Sequence, residues 1–263
     1  MLGVVNVTPD SFSDGGRWSE PGPAIAHALA LLDEGADAVD IGGESTRPGA
    51  APVPEAEELR RVLPVIEGIA RARPGALISI DTSKAAVARA AVEAGARWIN
   101  DVTALSDPGI AEIAAATGAT LVLMHARGTP LTMQRDTRYT DLVGEVCAML
   151  ADRAARAQAA GVPADRIVVD PGLGFGKAPL DNPSLVASVP ELRALGYPVL
   201  IGASRKSFVG RLSGVERPED RVFGSIGAAL AAAEAGADWL RVHDVAATRQ
   251  ALLVFAACRK PRA

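Results

Sequence analysis

Eight parallel strands alternating with helices and closed into a (β/α)8 barrel are what this 263-residue chain predicts, on three observations. Eight short apolar runs recur along it, each ending abruptly in polar residues. Ala-rich stretches with helical spacing separate the runs. Segments entering the runs are short, whereas several leaving them are long and rich in Gly, Pro, Ser and Thr. Strands buried on both faces read as continuous apolar runs, and in such barrels the chemistry gathers at the C-terminal strand ends. An open doubly wound sheet usually has fewer strands and a G-x-G-x-x-G turn after the first one. No such turn follows here, and eight evenly spaced units favour closure.

In chain order the runs are Val4-Val5 before Asn6, Ala38 to Ile41 before Gly42-Gly43-Glu44, Leu77 to Ile80 before Asp81, and Trp98-Ile99 before Asn100-Asp101. Next come Leu121 to Met124 before His125, and Ile167 to Val169 before Asp170. Val199 to Gly202 precedes Ser204-Arg205-Lys206, and Leu240 to Val242 carries Arg241 and leads into His243. Helical spacing predicts helices over 22–34, 55–72, 85–93, 110–116, 142–160, 185–195 and 226–235, most with a Gly just past the end. Such a Gly supplies the left-handed residue that turns the chain into the next strand. Residues 1–263 form one barrel domain in this reading, with no linker.

Composition narrows the function. Hydrophobic residues at 49% and charged residues at 22% provide a sizeable core and argue against disorder. A net charge of -4 offers no general attraction for nucleic acid or anionic membranes, so an anionic substrate must meet a local cluster of cations. Cys147 and Cys258, each alone in a helical stretch, read as small apolar residues in a reducing cytoplasm. No run approaches the roughly 20 apolar residues of a membrane span, and no signal peptide is expected.

The polar strand ends hold the candidate chemistry. The stretch Asn6 to Gly16 reads as a lid that would explain Phe12, Asp14 and a Gly hinge together. In Gly42 to Gly49, hydroxyls such as Thr46 together with Arg47 suit phosphate oxygens. Asp81, Asn100, Asp101 and Asp170 can read a flat heterocycle through paired hydrogen bonds or hold a divalent metal, and the first is favoured. For Asp101 a helix-capping role is equally open. Arg241 and His243, two apart and following the seventh strand's Lys206 and Ser207, point to phosphate or pyrophosphate. His125 is either catalytic or a structural hydrogen-bonding group. Lys177 lacks phosphate-loop spacing, because Ala178 follows it.

These blocks, in this order, closely resemble dihydropteroate synthases, the pterin-binding barrel enzymes of folate synthesis. The likeness covers Asn6 to Gly16, Asp40 to Gly49, Ile80 to Lys84, Ile99 to Asp101, Asp170 to Lys177, Gly202 to Ser207 and Arg241 to Val245. The resemblance implies condensation of para-aminobenzoate with a dihydropterin hydroxymethyl pyrophosphate. It assigns the pterin to Asp81, Asn100, Asp170 and Lys206, with Phe175 among the substrate-binding residues. Arg241 and His243 fall to the pyrophosphate, and Asn6 to both pyrophosphate and Mg2+. Phe12, Asp14, Arg47 and Pro48 would close over para-aminobenzoate, with Ser207 near its carboxylate. Catalytic roles fall to Asp14, Arg47, Lys206, Arg241 and His243.

A cytoplasmic homodimer acting on small molecules is implied as well, and Arg241→Ala or His243→Ala is expected to abolish pyrophosphate-dependent binding with the fold intact. Two departures from the family stand out. The chain before the first strand is short, so the barrel floor is expected to be less well plugged, and Ala126 is small for its place after His125. Methyltetrahydrofolate-dependent methyltransferases share the pterin pocket but have no need of Arg47, Arg241 and His243. A non-catalytic paralogue is the reading from another class, and pyrophosphate release discriminates among the three.

Overall fold

A computed structural model describes residues 1–8 and 21–259 of the chain. Its strands are β1 (Leu2–Asn6), β2 (Ala38–Gly42), β3 (Leu77–Asp81), β4 (Trp98–Asp101), β5 (Thr120–Met124), β6 (Ile167–Asp170), β7 (Leu200–Ile201) and β8 (Trp239–Val242). All pair in parallel, in the order β6-β5-β4-β3-β2-β1-β8-β7. A parallel bridge between Val169 and Val199, with the Val169 N–H donating to the Pro198 carbonyl at 2.9 Å, joins β6 to β7 and closes the ring. The eight predicted runs are therefore the eight staves of a closed barrel.

Between the strands lie α1 (Gly22–Asp33), α2 (Glu55–Ala72), α3 (Ala85–Glu93), α4 (Gly109–Thr117), α5 (Leu142–Ala159), α6 (Asn182–Ala187), α7 (Val189–Arg193), α8 (Ser207–Ser213), α9 (Val222–Ala235) and α10 (Val245–Arg259). The helix expected over 185–195 is two pieces. Pro190 has no N–H to continue the ladder, so the chain turns at Ser188 and restarts. The expected glycine stops hold: Gly118 and Gly236 cap α4 and α9 in the left-handed conformation, at φ 71° and 99°. Helix α8 was not read from the sequence, and α10 was read only as a helical stretch around Cys258. The seven residues of α8 are too few to display a period, and α10 buries only Val245 and Thr248.

Alternation along each strand sorts side chains onto two faces. The outward set, including Val39, Ile41, Ile78, Ile80, Ile99 and Leu121, packs with Leu31, Val62, Ile66, Ile113 and Leu150 of the helices in one large core. The inward set begins with a floor to which each strand contributes one residue: Leu2, Ala38, Leu77, Trp98, Val122, Val168, Leu200 and Trp239. Trp98 and Trp239 meet edge to face, ring centroids 4.7 Å apart. The expected shortfall at the floor is thus made good by two indoles, each a large apolar body. Cys147 packs against the core as expected. Cys258, near the end of α10, is exposed, so the packing role expected for it is not met there.

Candidate active site

Register builds the mouth of the barrel. Asn6 lies level with Gly42, Gly42 with Asp81, and Asp81 with Asn100, while Met124 lies level with Asp170. These positions are an even number of residues beyond the floor, so they share its inward face. Together with the loops after the strands they form a narrow cleft. Of the predicted residues, Thr46, Asp81, Asn100, Asp170, Phe175, Lys206 and Arg241 line it. Val102, Met124, Leu173 and Gly202 line it too, and sequence reasoning missed them. Apolar and glycine residues carry no chemical signature by which to pick them out.

Arg241 is the electrostatic centre. Its Nε donates to Asp40 Oδ2 at 2.6 Å and its Nη2 to Asp81 Oδ2 at 2.8 Å. Asn100 Nδ2 also donates to Asp40 Oδ2, at 3.0 Å. Asp40 is fully buried and was not singled out, although a carboxylate within an apolar strand run was the available signal. Burial pushes the Asp81 carboxyl well above the carboxylate range, and Asp40 adds to this while Arg241 opposes it. Burial works against the Arg241 charge, but Asp40 and Asp81 outweigh it and raise its pKa.

Across the cleft, Asp170 Oδ1 accepts from the Gly172 N–H at 2.7 Å, and burial raises the Asp170 pKa. Gly172 has no substitute here. At φ 67° a Cβ would lie 1.9 Å from the His125 carbonyl oxygen. Lys206 Nζ sits 4.2 Å from the Phe175 ring centroid, and burial with the nearby Arg241 pulls its ammonium down to about 8. Just before it Arg205 holds φ 59°, a conformation that costs roughly 1–3 kcal/mol. The Ser225 hydroxyl accepting from its N–H, and Asp244 gripping its guanidinium at 2.6 and 3.1 Å, sustain that turn.

Other predicted residues stand around the cleft rather than in its lining. Asn6 ends β1, Arg47 and Pro48 are exposed on the β2–α2 loop, and Ser207 is the exposed first residue of α8. His243 follows β8. Ser204 Oγ accepts from its backbone N–H at 3.2 Å and lies 3.0 Å from Nδ1. Burial, then Arg241 and Arg205, hold the His243 pKa down to about 3, so the ring is a neutral donor. Phe12 and Asp14 lie outside the described residues.

Asp101 settles on its structural alternative. One residue out of phase with Asn100, it accepts from the Thr103 N–H at 2.8 Å and the Leu105 N–H at 2.7 Å, which ties the β4–α4 loop. Among the described residues no group of three or more His, Cys, Asp or Glu has the arrangement of a metal site.

Comparison with known proteins agrees with this geometry. Residues 2–243 match the family model of pterin binding enzymes. The dihydropteroate synthase of Escherichia coli K12 is 46% identical over 257 residues, which span 98% of this chain and 90% of that protein. The chain belongs to the dihydropteroate synthase family. The solved Xanthomonas albilineans dihydropteroate synthase with 4-aminobenzoic acid superimposes at a TM-score of 0.93, with 51% identity over 99% of this chain and 93% of that one. A structure of that enzyme with 7,8-dihydropteroate superimposes at 0.89, with 49% identity over 99% and 94%. His125 lies 2.9 Å through Nδ1 from the buried Nζ of Lys177.

Proposed function

We propose that this protein is a dihydropteroate synthase that joins para-aminobenzoate to a dihydropterin carrying a hydroxymethyl pyrophosphate, releasing pyrophosphate. The observation carrying the reading is a single cleft in which Asp81, Asn100 and Asp170 face Lys206 and Arg241. Carboxylate acceptors and a lysine donor lining one cleft suit a flat heterocycle whose N–H groups and carbonyl lie on one edge. Asp170 would accept from the ring N–H and the exocyclic amine while Lys206 donates to the ring carbonyl. Phe175 backs Lys206. Pyrophosphate falls to Arg241 and His243, and para-aminobenzoate to Phe12, Thr46, Arg47, Pro48 and Ser207, with Asp14 near the reacting methylene.

In the reaction the C–O bond between methylene and pyrophosphate breaks, and its electron pair leaves on the pyrophosphate. The amine lone pair forms the new C–N bond, and the surplus amine proton passes to solvent. Donors fixed at the departing oxygens stabilise the developing charge, and an arylamine already neutral at pH 7 needs no strong base. Asn6 at the strand end fits Mg2+, an ion that takes few protein oxygens and completes its shell with water and substrate phosphates. Bound there, it would offset leaving-group charge.

We further infer a homodimer formed through α9, in a cytoplasmic setting that suits the free thiols. Phe223 at the start of α9 is 88% exposed and Leu212 of α8 is 60% exposed, beside an apolar groove between α6, α8 and α9. Such a patch is the usual mark of a contact surface. Phe223→Glu should convert a dimer to a monomer in sedimentation equilibrium. No helix among the described residues is long and apolar enough to cross a membrane.

The deciding experiment is pyrophosphate release from dihydropterin pyrophosphate with Mg2+, with and without para-aminobenzoate. Release dependent on para-aminobenzoate, with dihydropteroate in equal amount, is the expected result. Tight pterin binding without release would overturn the assignment.

A further inference from the structure

We propose that Asp40 is a positioning residue of this reaction: it holds one side of the Arg241 guanidinium and thereby fixes the end of that group that meets the pyrophosphate. The proposal rests on the synthase reading of the cleft.

Asp40 stands midway up β2 on the inward face, between the floor residue Ala38 and Gly42 at the mouth. It is fully buried, and its Oδ2 takes hydrogen bonds from both Arg241 Nε, at 2.6 Å, and Asn100 Nδ2, at 3.0 Å. Asp81 Oδ2 takes Arg241 Nη2 at 2.8 Å. A guanidinium has five N–H groups in a rigid plane, with Nε–H and one Nη2 hydrogen along the same side. Two carboxylates on two different strands occupy that side. Three hydrogens remain, and two of them, one on Nη1 and one on Nη2, form the end-on fork that grips phosphate oxygens.

Stability does not explain Asp40. A carboxylate buried this deeply is costly, and its second oxygen, Oδ1, has no hydrogen-bond partner among the described residues. Nor does charge explain it. A carboxylate paired with the guanidinium offsets the positive charge that would draw an anion. What Asp40 adds is direction, because Asp81 alone holds Arg241 by a single nitrogen and leaves it free to pivot. It also binds Asn100, so one oxygen aligns a pterin-facing amide and a pyrophosphate-facing cation.

Opposite signs separate the two roles. Asp40→Asn removes a negative charge, so electrostatics alone predicts tighter binding of inorganic pyrophosphate. Positioning predicts weaker binding. The expected result is a roughly tenfold rise in the pyrophosphate Kd by titration calorimetry, with at least about a tenfold loss of kcat/KM for the pterin substrate and the KM for para-aminobenzoate within about twofold. Unchanged or tighter pyrophosphate binding overturns the proposal. If wild-type protein forms no dihydropteroate, the synthase reading fails instead, and the titration still reports on Asp40.

Should the variant not fold, the wild-type protein gives the answer by nitrogen-15 NMR. The Arg241 Nε–H signal, identified by its loss in Arg241→Lys, should exchange slowly with water and stay so when inorganic pyrophosphate is added. Release of that proton to fast exchange on adding pyrophosphate would show Arg241 leaving Asp40, and would sink the idea.

Discussion

Lys177 Nζ lies 2.9 Å from Nδ1 of His125, although Lys177 is only 1% exposed and forms no ion pair among the described residues. Its other contacts are the carbonyls of Phe175, at 3.0 Å, and His125, at 3.3 Å. Burial pulls the lysine down to about 7, and burial with the adjacent Lys177 holds His125 down to about 3. The pair joins the end of β5 to the loop carrying Phe175.

A pH dependence of stability follows. Unfolded His125 takes a proton near 6.5 and folded His125 only near 3, so its contribution is complete above 6.5 and is lost as pH falls through 3. His125→Gln removes this linkage. The stability advantage of wild type over the variant should shrink by about 2 kcal/mol between pH 7.5 and pH 4.5, measured by urea unfolding. An advantage that stays constant over that range excludes a neutral buried imidazole.

Pterin affinity should fall at both ends of the neutral range. Lys206 must carry its proton to donate, and it loses it as pH rises through about 8. Asp81 must be ionised to accept, and burial places its pKa above the ordinary carboxylate range, so binding weakens as pH falls toward it. Calorimetric titration of a pterin from pH 5.5 to 9.5 should trace a bell, and Lys206→Arg should push the alkaline limb upward. A flat profile would remove both groups from the pterin edge.

Arg241→Ala should be less benign than expected from sequence. It strands the buried carboxylates of Asp40 and Asp81, and breaking such a cluster costs roughly 3–5 kcal/mol. The denaturation midpoint should drop markedly. The His243→Ala midpoint should move little, because that ring is neutral and held by one hydroxyl. Equal midpoints for the two variants would contradict this ion cluster.

A further test concerns the β2–α2 loop. Lys84 bridges Glu44, at the root of the loop, and the fully buried Glu58 of α2, while Arg61 donates to the Gly43 carbonyl at 2.8 Å. Thr46, Arg47 and Pro48 follow this anchor directly. Lys84→Met should therefore raise the KM for para-aminobenzoate about tenfold while leaving pterin affinity within about threefold. Equal loss of both would make Lys84 a general stability residue.

Asp101→Ala isolates a loop tie. Ala104 and Leu105 both hold positive φ, at 47° and 68°, and the Asp101 carboxylate collects the N–H groups on either side of that turn. The variant should lose about 2–3 kcal/mol, with pterin binding retained. Loss of binding at full stability would return Asp101 to the cleft.

The staves of the barrel and most of its mouth were legible because both depend on local pattern: an apolar run, then a polar residue in phase with it. Asp81, Asn100 and Asp170 obey that rule. Asp101 shows its limit, since one step along a strand reverses the face, and an apolar run ending in two polar residues does not say which points inward. Asp40 was missed because its meaning lies in Arg241, 201 residues away. Lys177 likewise resembled a loop cation until its His125 partner was seen. Long-range pairing of charges has no period to read.

The indoles of Trp98 and Trp239 pack in the floor layer of the barrel, beneath the cleft at the C-terminal ends of the strands. A flat ring held, as proposed, among Asp81, Asn100 and Asp170 would lie beneath a second substrate arriving at the mouth. On the synthase reading this geometry predicts an ordered sequence, with the heterocycle entering before the amine.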